Sequence, residues 1–326
     1  MQSTVKSSDL ENQTTTYENE KKCPCTTLQL AIIIIPITIV ILFCAIFIPV
    51  YVKNHDCDKK EECSNISNDS SDTIDEFEEY FKDYTYSTLT PKNGYDTIFI
   101  FLCGITEVSN KYFDLFKSNN TFVPKRTKIY FLAGEMRVIK FMEKYNYYDP
   151  VPCWFNVDSV GNLVCDGCDT IFDQAKASLE LILDKIDEIA TEENIDYKKI
   201  YLGGFSQGGI MTNYVLLNSR HELGGYTPFS GYILDHNFAD SYVIPEASWT
   251  DTQKQILESK KDYYILASHS FNDQTVFYPN SVESYYTYYK YYTNFQLYSF
   301  GVLGHVLESQ PTLPLVKKWL KERMGK

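Results

Sequence analysis

Hydrophobic and polar positions divide the chain into four stretches. Residues 1–27 are polar, rich in Thr, Asn, Glu and Lys, and show no period, which reads as a disordered tail. Residues 28–52, LQLAIIIIPITIVILFCAIFIPVYV, carry no Asp, Glu, Lys, Arg or His. A helix crosses a bilayer core with about 20 apolar residues, and membrane helices tolerate prolines such as Pro36 and Pro49. The run is too long and lies too far in for a cleaved signal sequence, so it predicts a single transmembrane helix. Residues 53–90 are acidic and poor in apolar positions until their end, the pattern of a linker.

From about Tyr95 the pattern changes. Short β-branched and aromatic runs predict strands at 97–102 (TIFIFL), 128–132 (KIYFL), 199–205 (KIYLGGF), 262–267 (DYYILA) and 295–300 (FQLYSF). Between them, 169–193 places Ile171, Ala175, Leu179, Ile182, Ile186 and Ile189 three or four residues apart, on one face of a long helix. Further helices are expected at 207–217, 282–292 and 316–324. Strands alternating with helices imply an α/β domain over 91–326: a mostly parallel sheet covered by helices on both faces.

Composition narrows the function. The 326 residues are 44% hydrophobic, enough for a sizeable core, and the net charge of −13 opposes nucleic-acid phosphates. Nine cysteines are too few for a disulfide scaffold in a chain of this length. Lysines flank the apolar run almost evenly, Lys21 and Lys22 against Lys53, Lys59 and Lys60, so charge does not orient it. The sequons at Asn65, Asn68 and Asn119, and the pair Cys57 and Cys63, point to a lumenal or extracellular domain. Asn12-Gln-Thr14, before the run, shows that sequons also arise here by chance. Cys165-Asp-Gly-Cys168 has no second ligand pair, which disfavours zinc and leaves a structural disulfide or two thiols.

The chemistry concentrates at Gly204-Phe205-Ser206-Gln207-Gly208, a G-x-S-x-G between a predicted strand and a predicted helix. That is the setting of a nucleophile elbow, where a strained serine stands at the sheet's C-terminal edge. Glycines on either side leave room for the sharp turn. The base and acid should follow in the order Ser, Asp, His. His305, after the last strand, and Asp273, after DYYILA, stand at strand ends where sites of open sheets collect. Asp235 and Asp240 compete for the acid; His269, closer to its strand, reads as a structural loop residue.

These motifs together resemble the acyl-protein thioesterase/carboxylesterase group of α/β-hydrolases, also called the phospholipase/carboxylesterase family. The resemblance rests on KIYLGGFSQGGIM, Pro152-Cys-Trp154-Phe155-Asn156, Gly224 to Tyr232, His269-Ser-Phe-Asn-Asp273-Gln-Thr-Val276 and Gly304-His305, and covers about residues 95–325. It implies an α/β-hydrolase fold and hydrolysis of carboxylic esters or acyl thioesters by Ser206, Asp273 and His305, with no metal or cofactor. The oxyanion would be held by the backbone N–H of Gln207 and of Ile105, and Trp154 and Phe155 would line an acyl channel. Substrates would be acylated small molecules, lipids or acyl-proteins. The early loop departs from the family's L-H-G-x-G-D: it reads Leu102-Cys103-Gly104-Ile105-Thr106-Glu107, with Cys103 for the His and no following Gly-Asp. That departure predicts a less rigid oxyanion hole, and its extreme is an inactive hydrolase fold that only binds. A Tyr-rich interaction protein is the other alternative class.

Overall fold

The computed structural model describes residues 75–118, 121–157, 168–234, 251–301, 304–308 and 310–325. The chain divides into two units, Met1–Ser70 and Ser71–Lys326, and every described residue lies in the second. The expected tail, the apolar run, Cys57, Cys63, Cys165, Asn119, Asp235 and Asp240 fall outside the described residues. Among the described residues no helix is long and apolar enough to cross a membrane.

Ten strands are described: β1 (Phe77–Asp83), β2 (Tyr86–Pro91), β3 (Thr97–Leu102), β4 (Thr127–Leu132), β5 (Glu135–Arg137), β6 (Val151–Cys153), β7 (Ile200–Phe205), β8 (Gly225–Phe229), β9 (Tyr264–Ser270) and β10 (Asn294–Phe300). Eight form one sheet in the order β1-β2-β4-β3-β7-β8-β9-β10, and β5 and β6 make a separate hairpin. From β4 to β10 every neighbour is parallel; β2 alone is reversed, antiparallel to both β1 and β4. The helices are α1 (Phe113–Lys117), α2 (Lys140–Glu143), α3 (Cys168–Glu192), α4 (Gln207–Asn218), α5 (Asp251–Ser259), α6 (Tyr278–Tyr291) and α7 (Leu313–Met324).

The central strands carry apolar side chains on both faces because both are covered. Ile98, Ile100 and Leu102 of β3 join one core with residues of α3, α4 and α6. Their alternates Phe99 and Phe101 join a second core with α1, α7 and the rings of Phe116, Phe122 and Phe131. The five predicted strands and four predicted helices each coincide with an observed element. The linker expectation needs correcting: residues 77–91 form β1 and β2, which pair with each other and with β4. β1 escapes a sequence reading because it is an edge strand almost wholly exposed, so no buried period marks it.

Two features at the ends of elements matter below. The Asp75 carboxylate accepts the backbone N–H of Arg126 (2.8 Å), and the Thr127 hydroxyl contacts the Met324 sulfur at 3.8 Å. Both ends of the described unit thus meet where β4 begins. At the far end of α4, buried Lys260 donates from Nζ to the carbonyls of Leu216 and Leu217 (both 2.8 Å) and Ser219 (3.2 Å), satisfying carbonyls a helix end leaves unpaired.

Candidate active site

β7 runs into Ser206, which takes φ 57° and ψ −120°, and α4 begins at the next residue. A serine at positive φ is strained, and the surroundings enforce it. A Cβ on Gly208 would lie 1.9 Å from the Leu102 carbonyl oxygen, and one on Gly204 would lie 2.5 Å from that of Gly208. Both glycines are therefore required by close backbone approach, as the motif's spacing implies.

The structure brings Ser206, His305 and Asp273 together. The Ser206 hydroxyl is 2.7 Å from His305 Nε2, and His305 Nδ1 is 2.7 Å from Asp273 Oδ2. Because a carboxylate only accepts, Nδ1 carries the proton and Nε2 is left to accept from the serine. Asp273 Oδ1 accepts from the N–H groups of Thr275 (2.9 Å) and Val276 (2.8 Å). Burial alone would push the Asp273 carboxyl up; hydrogen bonds and charge from His269 and His305 outweigh it and hold the carboxyl well below the usual range. Ser206 is 6% exposed, and the Phe205 ring packs 4.7 Å from the His305 ring.

The N–H groups of Gln207 and Ile105 make no hydrogen bond to another described residue. Gln207 opens α4, so its N–H is one of those a helix N-terminus leaves unpaired. The loop that carries Ile105 is held more firmly than its sequence suggests. Thr106 takes φ 68°, the left-handed conformation a glycine would supply, and donates its N–H to the Pro152 carbonyl at 2.8 Å. The Glu107 carboxylate takes the Gly104 N–H at 2.6 Å and the Tyr112 hydroxyl at 2.5 Å. Burial pushes the Glu107 carboxyl up against these bonds. Thr106 and Glu107 thus do the work of the Gly-Asp that the sequence lacks. Cys103 is fully buried, its thiol pushed well up by burial, and it packs against the Val108 carbonyl.

The structure places Trp154 beside Cys103 and Phe155 beside Gln207. Trp154 and Phe155 are 4% and 2% exposed and belong to the core that backs α4. Trp154 Nε1 donates to the Cys103 carbonyl (2.8 Å), and Ser178 donates to the Trp154 carbonyl (2.5 Å). The Gln207 side chain locks onto the same segment: Oε1 accepts the Trp154 N–H (2.8 Å) and Nε2 donates to the Phe155 carbonyl (2.7 Å). One belt of hydrogen bonds therefore ties the residue after the nucleophile to the residues flanking Ile105. The sequence gives no sign of it, since a glutamine in a helix's first turn is unremarkable alone.

The phospholipase/carboxylesterase family model matches residues 88–321. A probable carboxylesterase SOBER1-like of Arabidopsis thaliana is 28% identical over 55% of this chain and 62% of its own length. An acyl-protein thioesterase 1 of Eremothecium gossypii is 32% identical over 29% of this chain and 40% of its own. This chain therefore spans less than two thirds of either relative. The crystal structure of Zea mays acyl-protein thioesterase 2 superposes with a TM-score of 0.56 at 17% identity, covering 74% of this chain and 99% of that one. At that identity the superposition establishes the fold, that of the α/β-hydrolases.

Proposed function

The chain belongs to the phospholipase/carboxylesterase family, and from that premise we propose that it hydrolyses carboxylic esters or acyl thioesters through Ser206, His305 and Asp273. The reading rests above all on the two 2.7 Å contacts that run from Ser206 through His305 to Asp273. Ser206 Oγ attacks the acyl carbonyl while His305 Nε2 takes its proton. Asp273 keeps the imidazole in the required tautomer and stabilises the imidazolium. The tetrahedral oxyanion is met by the N–H groups of Gln207 and Ile105, at the positive end of α4. His305 then returns the proton to the departing alcohol or thiol, and water releases the acyl group by the same steps in reverse order.

The printed names of the relatives, carboxylesterase and acyl-protein thioesterase, support an ester or thioester as substrate. Acylated small molecules, lipids and acyl-proteins all present that group. The apolar run at residues 28–52 supports a single-pass membrane anchor, and the sequons at Asn65, Asn68 and Asn119 a lumenal or extracellular domain. A glycosidase-sensitive mobility shift of the full chain, abolished when all three asparagines become glutamine, tests that side.

The decisive experiment treats the chain and its Ser206→Ala variant with a fluorophosphonate probe, then assays a p-nitrophenyl ester and an acyl thioester. Labelling and turnover lost in the variant support the hydrolase, and the ratio of the two rates ranks ester against thioester. A folded wild-type chain that neither labels nor turns over either substrate overturns the reading in favour of a binding module.

A further inference from the structure

We propose that His269 is a positioning residue for the reaction: it fastens Asp273 and the loop that carries it, so that the carboxylate stays aimed at His305. The inference rests on the Ser-His-Asp reading above. His269 is the penultimate residue of β9 and is wholly buried. Its Nε2 lies 2.9 Å from the Val276 carbonyl and 3.4 Å from Asp273 Oδ2. A carbonyl only accepts, so Nε2 carries the proton and donates it to Val276, with Asp273 Oδ2 a longer polar contact beside that bond. Asp273 Oδ2 is the same atom that receives His305 Nδ1.

The loop closes on itself. Asp273 Oδ1 takes the N–H groups of Thr275 and Val276, and the Val276 carbonyl returns to His269. His269 joins the strand end to the loop's far side, and its ring meets the edge of Tyr278 at 5.7 Å. A buried carboxylate needs its lone pairs occupied; here the His305 imidazole and two amides do so, with the His269 imidazole beside them at 3.4 Å. Without the His269 N–H, the 273–276 loop keeps its own turn and the Asp273 N–H on the Ser270 carbonyl (3.2 Å), but its far side at Val276 loses the tie to β9. The carboxylate then swings relative to His305.

His269→Phe keeps the ring and deletes the N–H; His269→Gln keeps an N–H at a different reach. Each is made in the wild-type and the Asp273→Asn backgrounds, and kcat and KM are measured with a p-nitrophenyl ester alongside melting temperature. In the wild-type background His269→Phe should lower kcat about 10–100-fold, with KM unchanged, as expected for a lost partner that orients a reacting group. His269→Gln should recover most of that, leaving a loss of about threefold, and in the Asp273→Asn background neither substitution should cost more than about twofold. Wild-type kcat in folded His269→Phe overturns the proposal, as do equal losses in both backgrounds. Where His269→Phe does not fold, His269→Gln decides by the same rule: a loss confined to the Asp273 background supports it, no loss or equal losses overturn it. A wild-type chain without turnover is a different result, which overturns the hydrolase reading itself.

Discussion

Gln207 offers the sharpest test of how the site is held, because its backbone and side chain have separate duties. The backbone N–H is the proposed oxyanion donor, while the side chain clasps Trp154 and Phe155 at 2.8 and 2.7 Å. Gln207→Leu keeps the first and removes the second. Gln207 is 3% exposed and Trp154 4%, so water does not replace the lost partner. The Trp154 N–H and the Phe155 carbonyl are each left unpaired, at about 1–3 kcal/mol apiece. The total is about 2–6 kcal/mol, a large part of the 5–15 kcal/mol typical of a domain. For a unit of this size that lowers Tm by roughly 5–20 °C. Because Trp154 in turn holds the Cys103 carbonyl beside Ile105, kcat for a p-nitrophenyl ester should fall at least about tenfold, the scale of a misplaced donor. Gln207→Glu is the control: it still accepts from Trp154 but sets a carboxylate oxygen against the Phe155 carbonyl, and should melt no higher than the leucine variant. A Gln207→Leu chain melting within about 2 °C of wild type, with kcat intact, would refute the claim that this clasp positions the site.

Two further outcomes follow from strain and burial. Thr106→Gly relieves a β-branched residue at φ 68°, worth about 1–2 kcal/mol less the extra chain entropy of glycine. The variant should gain roughly 0.5–1 kcal/mol in urea denaturation with kcat retained; a loss of stability contradicts the strain assignment. Burial lowers the Lys260 ammonium from 10.5 to about 8. Between those values the unfolded chain binds the proton that the folded chain has released, so stability contributed by this group rises with pH across that window and is lost as pH falls through 8. The melting temperature of wild type relative to Lys260→Met should therefore climb from pH 8 to 10, and a constant difference refutes it.

The strained turn at Ser206 is legible because its constraint is local: a G-x-S-x-G between an apolar strand and a helix leaves few other structures. Position at strand ends nominates His305 and Asp273, the family resemblance favours Asp273 over Asp235 and Asp240, and the structure brings both beside Ser206. What escaped the sequence depends on partners far away in the chain. Glu107 reads as the loss of an aspartate until its carboxylate is found on Gly104 and Tyr112. His269 reads as scaffolding because its contact with Asp273 exists only once the loop folds back. Trp154 and Phe155 bind Cys103, Ser178 and Gln207 through polar atoms, and those partners lie far away in the chain. β1 fails for the opposite reason: backbone pairing alone defines it, and FEEYFKD shows no buried face.

The meeting of Asp75 and Met324 at Arg126 and Thr127 has a consequence for chain order. Consecutive residues are 3.8 Å apart at Cα, so the beginning and end of the described unit converge on one corner. That corner lies where β4 starts, whereas Ser206 follows the last residue of β7, and both strands run parallel to β3. The two ends of the described unit therefore lie at the edge of the sheet opposite the one at which Ser206 stands. A few flexible residues suffice to join Gly325 to Asp75, and the ring so formed can be reopened in a surface turn such as the one at Gly94. Such a circularly permuted chain would give β1 a covalent neighbour in α7 and leave the order Ser206, Asp273, His305 uninterrupted.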